Sequence, residues 1–170
     1  TAIGIGIKIS EYNSEDFKNR LILFDSKSKW IVFNQKMDLI DKVFLIYSNI
    51  IGTNPNFYSS CQLILDTAFR DNIHPKHLQN ITLIILSNMQ VDNNCPAFLY
   101  RRTNSLYDNI VMMFENIGNN TIYRKPYPIP KIIFWNLDIT DGFPCHPTDY
   151  NCSMLSGYNE NIIQISLDNL

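Results

Sequence analysis

The stretch ITLIILSNMQVD, Ile81 to Asp92, decides the fold. It begins with a nearly continuous apolar run, and a second run of the same kind, KIIFWNL, spans Lys131 to Leu137. Such runs are typical of parallel strands that are covered by helices on both faces. Both runs are therefore predicted to be central strands of an α/β sheet.

Two shorter apolar runs flank a polar turn near the amino end of the sequence. RLILF (20–24) and KWIVF (29–33) are separated by the residues DSKS. Short apolar runs joined by a polar turn favour a β-hairpin. The hairpin is expected at an edge of the sheet, with KWIVF antiparallel to the other strands.

Two segments have apolar residues at helical spacing. In KMDLIDKVFLIYSNI (36–50) this spacing predicts a helix whose buried face carries Met37, Ile40, Phe44 and Tyr47. In FYSSCQLILDTAFR (57–70) it predicts a second helix whose buried face carries Phe57, Cys61, Ile64 and Phe69.

The remaining elements follow from the same kinds of pattern. SLYDNIVMMFENIG (105–118) is predicted to be a helix that Gly118 stops. RKPYPIP (124–130) is too rich in proline to be helical and is expected to be a stiff connection to the next strand, although it also resembles a polyproline ligand. NCSMLSG (151–157) should form a short strand, and NENIIQISLDNL (159–170) a closing helix. The sequence contains no internal repeat or linker, so one domain is predicted.

Composition limits the function classes. The chain has 170 residues, of which 45% are hydrophobic, a formal net charge of -2 and a pI near 5.8. Duplex nucleic acid usually requires a basic surface, which this composition does not indicate. The sequence has no apolar run of membrane-spanning length and no signal-peptide pattern at its start, so a soluble protein, cytoplasmic or nuclear, is predicted. The four cysteines show no C-x-x-C pair, which favours free thiols.

Several segments, in order, resemble a known family. They are AIGIGIKISE, RLILFDSKSKW, GTNPNFYSSCQLILDTA, ITLIILSNMQVD, PKIIFWNL and SMLSGYNENI. Together they resemble the von Willebrand factor A-like (vWA) domain of a family related to the TROVE module of Ro-type proteins, seen in plants, fungi and giant viruses. The resemblance implies a Rossmann-like fold with a mainly parallel central sheet, an antiparallel edge strand and helices on both faces.

The resemblance also bears on the start of the chain. By its alternation of Ile with Gly or Lys, AIGIGIKIS (2–10) is typical of an edge strand. In the family the equivalent piece is the first helix, which follows the first strand. Residues 1–170 would then be a single vWA-like domain that lacks its first strand, which upstream residues of the same polypeptide or another chain would supply.

Many vWA domains hold a divalent metal at the carboxyl edge of the sheet, but the matching positions are altered here. The first-loop motif Asp-x-Ser-x-Ser has no counterpart, the threonine position of the second loop falls at Pro55, and the aspartate position of the third loop falls at Asn88. A hard cation usually needs at least one carboxylate ligand. The resemblance therefore implies a degenerate metal site, and no metal or cofactor is expected.

The loops at this carboxyl edge supply the candidate interaction residues. They are Thr53, Asn54, Asn56, Ser87, Asn88, Asp92, Asp138 and Asp141. A structural alternative is that Ser87 and Asn88 only cap a turn by bonding to backbone groups. HPKH (74–77), together with Cys145 and His146, offers possible zinc ligands, but no second pair has ligand spacing, so no zinc site is predicted.

Two functional classes remain open. The first is a non-enzymatic protein-interaction module that presents the carboxyl-edge loops to a protein partner. The alternative is a metal-dependent hydrolase or nuclease that uses Asp92, Asp138 and Asp141. The resemblance also suggests a viral or ribonucleoprotein assembly, located in a viral particle or the host cytoplasm, with RNA bound through regions outside these residues. No membrane partner is expected.

Overall fold

The computed structural model of the protein describes residues 1–13, 17–25, 27–50, 56–79, 81–89, 106–138 and 151–157. The predicted closing helix, 159–170, lies outside these residues. In chain order the elements are α1 (Ala2–Tyr12), β1 (Arg20–Leu23), β2 (Lys29–Val32), α2 (Leu39–Tyr47), α3 (Phe57–Arg70), α4 (Pro75–Leu78), β3 (Thr82–Ser87), α5 (Leu106–Asn119), β4 (Lys131–Asn136) and β5 (Cys152–Ser156).

The described strands form two sheets. β3, β4 and β5 lie side by side in that order, and both pairings are parallel. β1 and β2 pair antiparallel as a separate hairpin. The mixed α/β class, the hairpin and the parallel pairing of the two long apolar runs are confirmed. Among the described residues β4 has a strand on both sides and β3 on one side only, and the hairpin is not paired with that sheet, so the central position of β3 stays a prediction.

The segment Ala2–Tyr12 is a helix and not an edge strand. Its side chains at helical spacing, Ile3 and Ile7, pack into a cluster with residues of β1, β2 and α2. Ser10 is buried, and its hydroxyl donates to the carbonyl of Ile7 at 2.7 Å. Tertiary burial of this face has overridden the alternating pattern that favours a strand, and the helix that the resemblance implied is confirmed.

The buried face predicted for α2 is wrong. Ile40, Phe44 and Tyr47 are 77%, 74% and 63% exposed, whereas Lys42 and Ile46 are buried. Both sides of this helix carry apolar residues, so spacing alone does not distinguish them. The side that carries Ile46 is buried because it joins the cluster formed with Ile7, Ile31 and Phe33.

α3 packs at the centre of the larger core. Phe57, Cys61 and Ile64 are buried as predicted, but Phe69 is 50% exposed. The larger core also contains buried residues of α5, β3 and β4. The prediction for α3 is therefore correct along most of its length and wrong at its last turn.

The connection from α5 to β4 is held tightly against both of its neighbouring helices. Tyr127 in this connection is fully buried, and its hydroxyl lies 3.1 Å from the carbonyl oxygen of Ile73 and 3.3 Å from that of Ala68. A Cβ on Gly118 would lie 2.1 Å from the backbone nitrogen of Tyr127. The helix continues to Asn119, so Gly118 does not stop it but allows the connection to approach it closely.

Candidate functional site

Polar side chains end all three strands of the parallel sheet at the carboxyl edge. The register places Ser87 of β3 beside Asn136 of β4, and Asn136 beside Ser156 of β5. Asn136 is only 2% exposed. Asn136 is not among the residues predicted from the sequence, although its position at the end of an apolar run is a usable signal.

The turn after β3 uses the candidate side chains to bond its own backbone. The hydroxyl of Ser87 accepts from the backbone N–H of Met89 at 3.2 Å and lies 3.4 Å from Oδ1 of Asn88. Met89 is buried and has a φ of +62°, a conformation that costs energy for a residue other than glycine. Ser87 therefore stabilises a strained turn, as the structural alternative predicted.

Two further candidate positions also take part in local backbone bonding. Oδ1 of Asn56 accepts from the backbone N–H of Ser59 at 3.0 Å, which caps the amino end of α3. The backbone N–H of Asp138 donates to Oδ1 of Asn136 at 3.0 Å. Both contacts shape the carboxyl edge, and neither depends on a ligand.

The structure brings together only part of the predicted set. Ser87 and Asp138 are held near each other because the carbonyl of Ser87 accepts from the N–H of Leu137 at 3.0 Å. Asn56 is held at the end of β1, where its N–H donates to the carbonyl of Asp25 at 3.3 Å. The other candidates, Thr53, Asn54, Asp92 and Asp141, lie outside the described residues.

Within the described ranges, no group of three or more His, Cys, Asp or Glu residues could hold a metal ion. In the HPKH segment, Nδ1 of His74 accepts from the backbone N–H of Lys76 at 3.1 Å, and the His74 ring packs edge-on against Tyr123. His77 lies with its ring centre 6.4 Å from that of His74. Cys145 and His146 lie outside the described residues.

Cys61 lies in the interior of the larger core. Burial raises the pKa of the Cys61 thiol far above its ordinary value, because the charged thiolate would be desolvated there. A thiol kept protonated and inaccessible is a poor nucleophile. Cys61 is therefore a packing residue of α3.

The solvent-facing side of α2 is a cluster of large apolar side chains, which we call the outer face of α2. It consists of Ile40, Phe44 and Tyr47, at positions i, i+4 and i+7 and each more than 60% exposed. Such clusters are uncommon on soluble domains and often mark contact surfaces. The outer face of α2 was missed because these same residues were assigned to the core.

An ion pair reinforces the orientation of α2. Nζ of the buried Lys42 lies 2.8 Å from Oε1 of Glu11 on α1, and it also lies over the ring of Phe33. The hydrogen bond from Lys42 holds the pKa of Glu11 below its ordinary value, although partial burial opposes this. Because Lys42 points toward α1, the opposite side of the helix remains in solvent.

A family model described as Domain of unknown function (DUF7788) matches residues 1–170. The chain belongs to the DUF7788 family. This DUF7788 domain is 27% identical over 165 residues to Uncharacterized protein L728 of Acanthamoeba polyphaga mimivirus, a match that covers 96% of the domain and 26% of the viral protein. The domain thus spans about a quarter of that relative. No solved structure matches it. None of the described helices is both long and apolar enough to cross a membrane.

Proposed function

We propose that this DUF7788 domain is a non-enzymatic protein-interaction module that docks through the outer face of α2. The observation that carries the proposal is the exposure of three large apolar side chains, Ile40, Phe44 and Tyr47, on one side of a well-anchored helix. Burying apolar area gives about 25 cal/mol per Å², so aromatic and aliphatic side chains of this size supply strong contacts. A helix face with Ile40, Phe44 and Tyr47 at i, i+4 and i+7 suits a groove or a second helix of a partner.

The carboxyl edge is less suited than the outer face of α2 to be the main docking surface. Ser87, Asn136 and Asn56 already bond to backbone groups of their own turns and helix. Asn88 and Asp138 are exposed there and extend the contact surface at most. The metal-dependent hydrolase remains the alternative class, but no observation on the described residues favours it.

The kinship with vWA domains is part of the same proposal. It is supported by the parallel β3–β4–β5 sheet and by the helix at Ala2–Tyr12. The relationship to a mimivirus protein supports a viral setting, and a ribonucleoprotein assembly in a viral particle or the cytoplasm rests on the resemblance to TROVE-related proteins alone.

Photo-crosslinking tests the proposal with a matched control. The photoreactive residue p-benzoylphenylalanine replaces Phe44 in one sample and Phe69 in another, in cells that produce the protein. Phe69 is also an exposed aromatic residue, but it lies on α3. We expect a discrete protein conjugate from position 44 that Ile40→Glu abolishes, and no such conjugate from position 69.

Three results would contradict the proposal. They are the absence of a conjugate at position 44, the same conjugates at both positions, and a conjugate that nuclease removes and protease does not. A conjugate with the mass of two copies of the chain would identify the partner as a second copy.

A further inference from the structure

A cleft of about 620 Å³ opens where the start of β1 meets the carboxyl end of α3, and we call it the histidine cleft. Its lining includes Phe17, Arg20, Asp71, His74, His77 and Tyr123. Pockets that bind small molecules typically measure roughly 300–1,000 Å³, so the histidine cleft is large enough for an organic ligand. It shares no residue with the outer face of α2 or with the candidate residues of the carboxyl edge.

Aromatic rings hold the guanidinium of Arg20 in place. It lies 5.8 Å from the ring centre of Phe17 and 5.9 Å from that of Trp30. The indole N–H of Trp30 donates to the hydroxyl of Thr67 at 3.1 Å, which ties this arrangement to α3. The Nε–H of Arg20 is buried and meets no acceptor among the described residues. Since buried donors normally have a partner, Arg20 is a cation that the fold positions without satisfying it.

The acidic residue in the lining, Asp71, is already bound to another arginine. Its Oδ1 accepts from Nε of Arg70 at 2.9 Å, and its Oδ2 accepts from Nη2 of Arg70 at 3.2 Å. A carboxylate held in this bidentate way has used its strongest acceptor directions. Among the described residues Arg20 therefore has no anion of its own, and it can receive one that enters the cleft.

Two imidazoles add further hydrogen-bonding groups to the lining. Nδ1 of His74 accepts from the backbone N–H of Lys76, so the proton of the neutral ring lies on Nε2 and is left to donate. The His74 ring is held edge-on against Tyr123 with 4.8 Å between the ring centres, and the hydroxyl of Tyr123 donates to the carbonyl of Asn72 at 2.9 Å. His77 is exposed beside this pair. The cleft thus combines a guanidinium, imidazoles and aromatic rings.

We propose that the histidine cleft binds a phosphate monoester that carries a flat aromatic ring, the chemical class of the nucleoside monophosphates. The phosphate accepts from the guanidinium of Arg20 and from Nε2 of His74, and the ring of the ligand packs against Phe17 and Tyr123. A phosphate has more terminal oxygens and more negative charge than a carboxylate, so it can satisfy a guanidinium and an imidazole together. The proposal does not depend on the outer face of α2.

Isothermal titration calorimetry with adenosine monophosphate tests the proposal on the polypeptide that carries residues 1–170. We expect a saturable site with a Kd at or below about 1 mM. Adenosine, which lacks the phosphate, and inorganic phosphate, which lacks the ring, should each bind at least about tenfold more weakly. No saturable heat up to about 10 mM of the nucleotide would overturn the proposal. Equal affinity for the nucleotide and either of its parts would overturn the assigned ligand class.

Two substitutions and a matched control locate the site. Arg20→Lys keeps the charge but removes the planar guanidinium. His74→Asn keeps a side-chain acceptor for the N–H of Lys76, so the local fold should persist, but it removes the Nε2 donor. We expect each to weaken binding of the nucleotide at least about fivefold. Arg124→Lys, at an exposed arginine outside the lining, should leave the affinity unchanged.

The two substitutions together keep the test decisive. If Arg20→Lys lowers Tm because Phe17 and Trp30 lose their contact with the guanidinium, His74→Asn still reports on the cleft. Affinity that His74→Asn leaves unchanged, or that Arg124→Lys lowers to the same extent, would show that the nucleotide binds elsewhere and would overturn the proposal.

Discussion

Single residues of this domain are constrained by close backbone approach and by turn geometry more than by chemistry. Because Gly118 has no Cβ, the connection before β4 can pack directly against the helix. The hydroxyl of Ser87 accepts a hydrogen bond from the backbone N–H of Met89, whose φ is positive. Both effects concern the shape of the chain at one point. They show why substitutions at inconspicuous positions should have large effects.

Gly118→Ala should strongly destabilise the domain. The new Cβ would lie 2.1 Å from the nitrogen of Tyr127 and 2.6 Å from the carbonyl oxygen of Lys125, and backbone cannot yield as a flexible side chain does. We expect a loss of at least about 2 kcal/mol in the free energy of unfolding, measured by urea denaturation. Gly4→Ala, in open space on α1, should instead gain about 0.5–1 kcal/mol. Equal effects at the two glycines would disprove the close approach.

Because the residue at position 88 is neutral, we expect divalent cations to leave the stability of the domain unchanged. Asn88 carries no charge to offset a metal ion, and a site filled at 100 times its Kd would raise the free energy of unfolding by about 2.7 kcal/mol. We therefore expect Mg²⁺ or Mn²⁺ to leave Tm unchanged in a thermal melt. A saturable rise in Tm that Asp138→Asn removes would instead support the metal-dependent hydrolase.

At the scale of the element, the neighbours of a helix determine which of its sides is buried. α2 has apolar residues on both sides, and the side with Ile46 faces the small cluster beneath α1. Lys42 reinforces this choice through its ion pair with Glu11. Helical spacing identifies the element, and its neighbours determine the orientation.

Two isoleucines on α2 test the orientation directly. Ile46 is 2% exposed and Ile40 is 77% exposed. Ile46→Ala should cost about 2–5 kcal/mol in the free energy of unfolding, because it leaves a cavity in the core. Ile40→Ala should change it by less than about 0.5 kcal/mol. If chemical denaturation gave the reverse order, the face first predicted from the sequence would be the buried one.

The ion pair between α1 and α2 predicts a pH dependence. The pKa of Glu11 is lowered in the folded state by the hydrogen bond from Lys42, so its contribution is present at neutral pH and lost as the pH falls through that lowered pKa. Between roughly pH 5 and pH 3, the wild type should therefore lose more stability than Glu11→Gln. The difference should stay below about 1 kcal/mol, because the Glu11 side chain is 37% exposed. Parallel curves of Tm against pH would rule the contribution out.

At the scale of the whole molecule, the described residues form two hydrophobic cores. One surrounds Ile7, Ile31, Phe33 and Ile46, and the other surrounds α3, α5 and the parallel sheet. Phe57 connects the two sheets, since its ring packs edge-on against Phe24 after β1 and against Phe134 of β4. Such bridging residues, together with α1, hold the two sheets together.

Phe57→Ala should therefore destabilise the protein by about 3–5 kcal/mol, because it removes a fully buried ring that joins both sheets. Phe69→Ala on the same helix removes a ring that is half exposed, and should change stability far less. Thermal and chemical unfolding of the two variants measure the contrast. A small effect at Phe57 would mean that the two sheets are stabilised independently.

The sequence by itself determined the elements whose signal is local. The apolar runs at β3 and β4, the hairpin and the three long helices after it follow from spacing and turn residues, as does the polar end of β3 at Ser87 and Asn88. These patterns are readable because each depends on residues a few positions apart.

Only the tertiary structure decided the features that depend on residues distant in the chain. These are the helical state of Ala2–Tyr12, the exposed side of α2, the close approach at Gly118, the row at Asn136 and the cavity lined by β1 and β3. Each results from burial against a distant segment. The free energy gained by burying one face of a helix or strand depends on which residues cover that face. The local spacing of apolar residues does not contain this information.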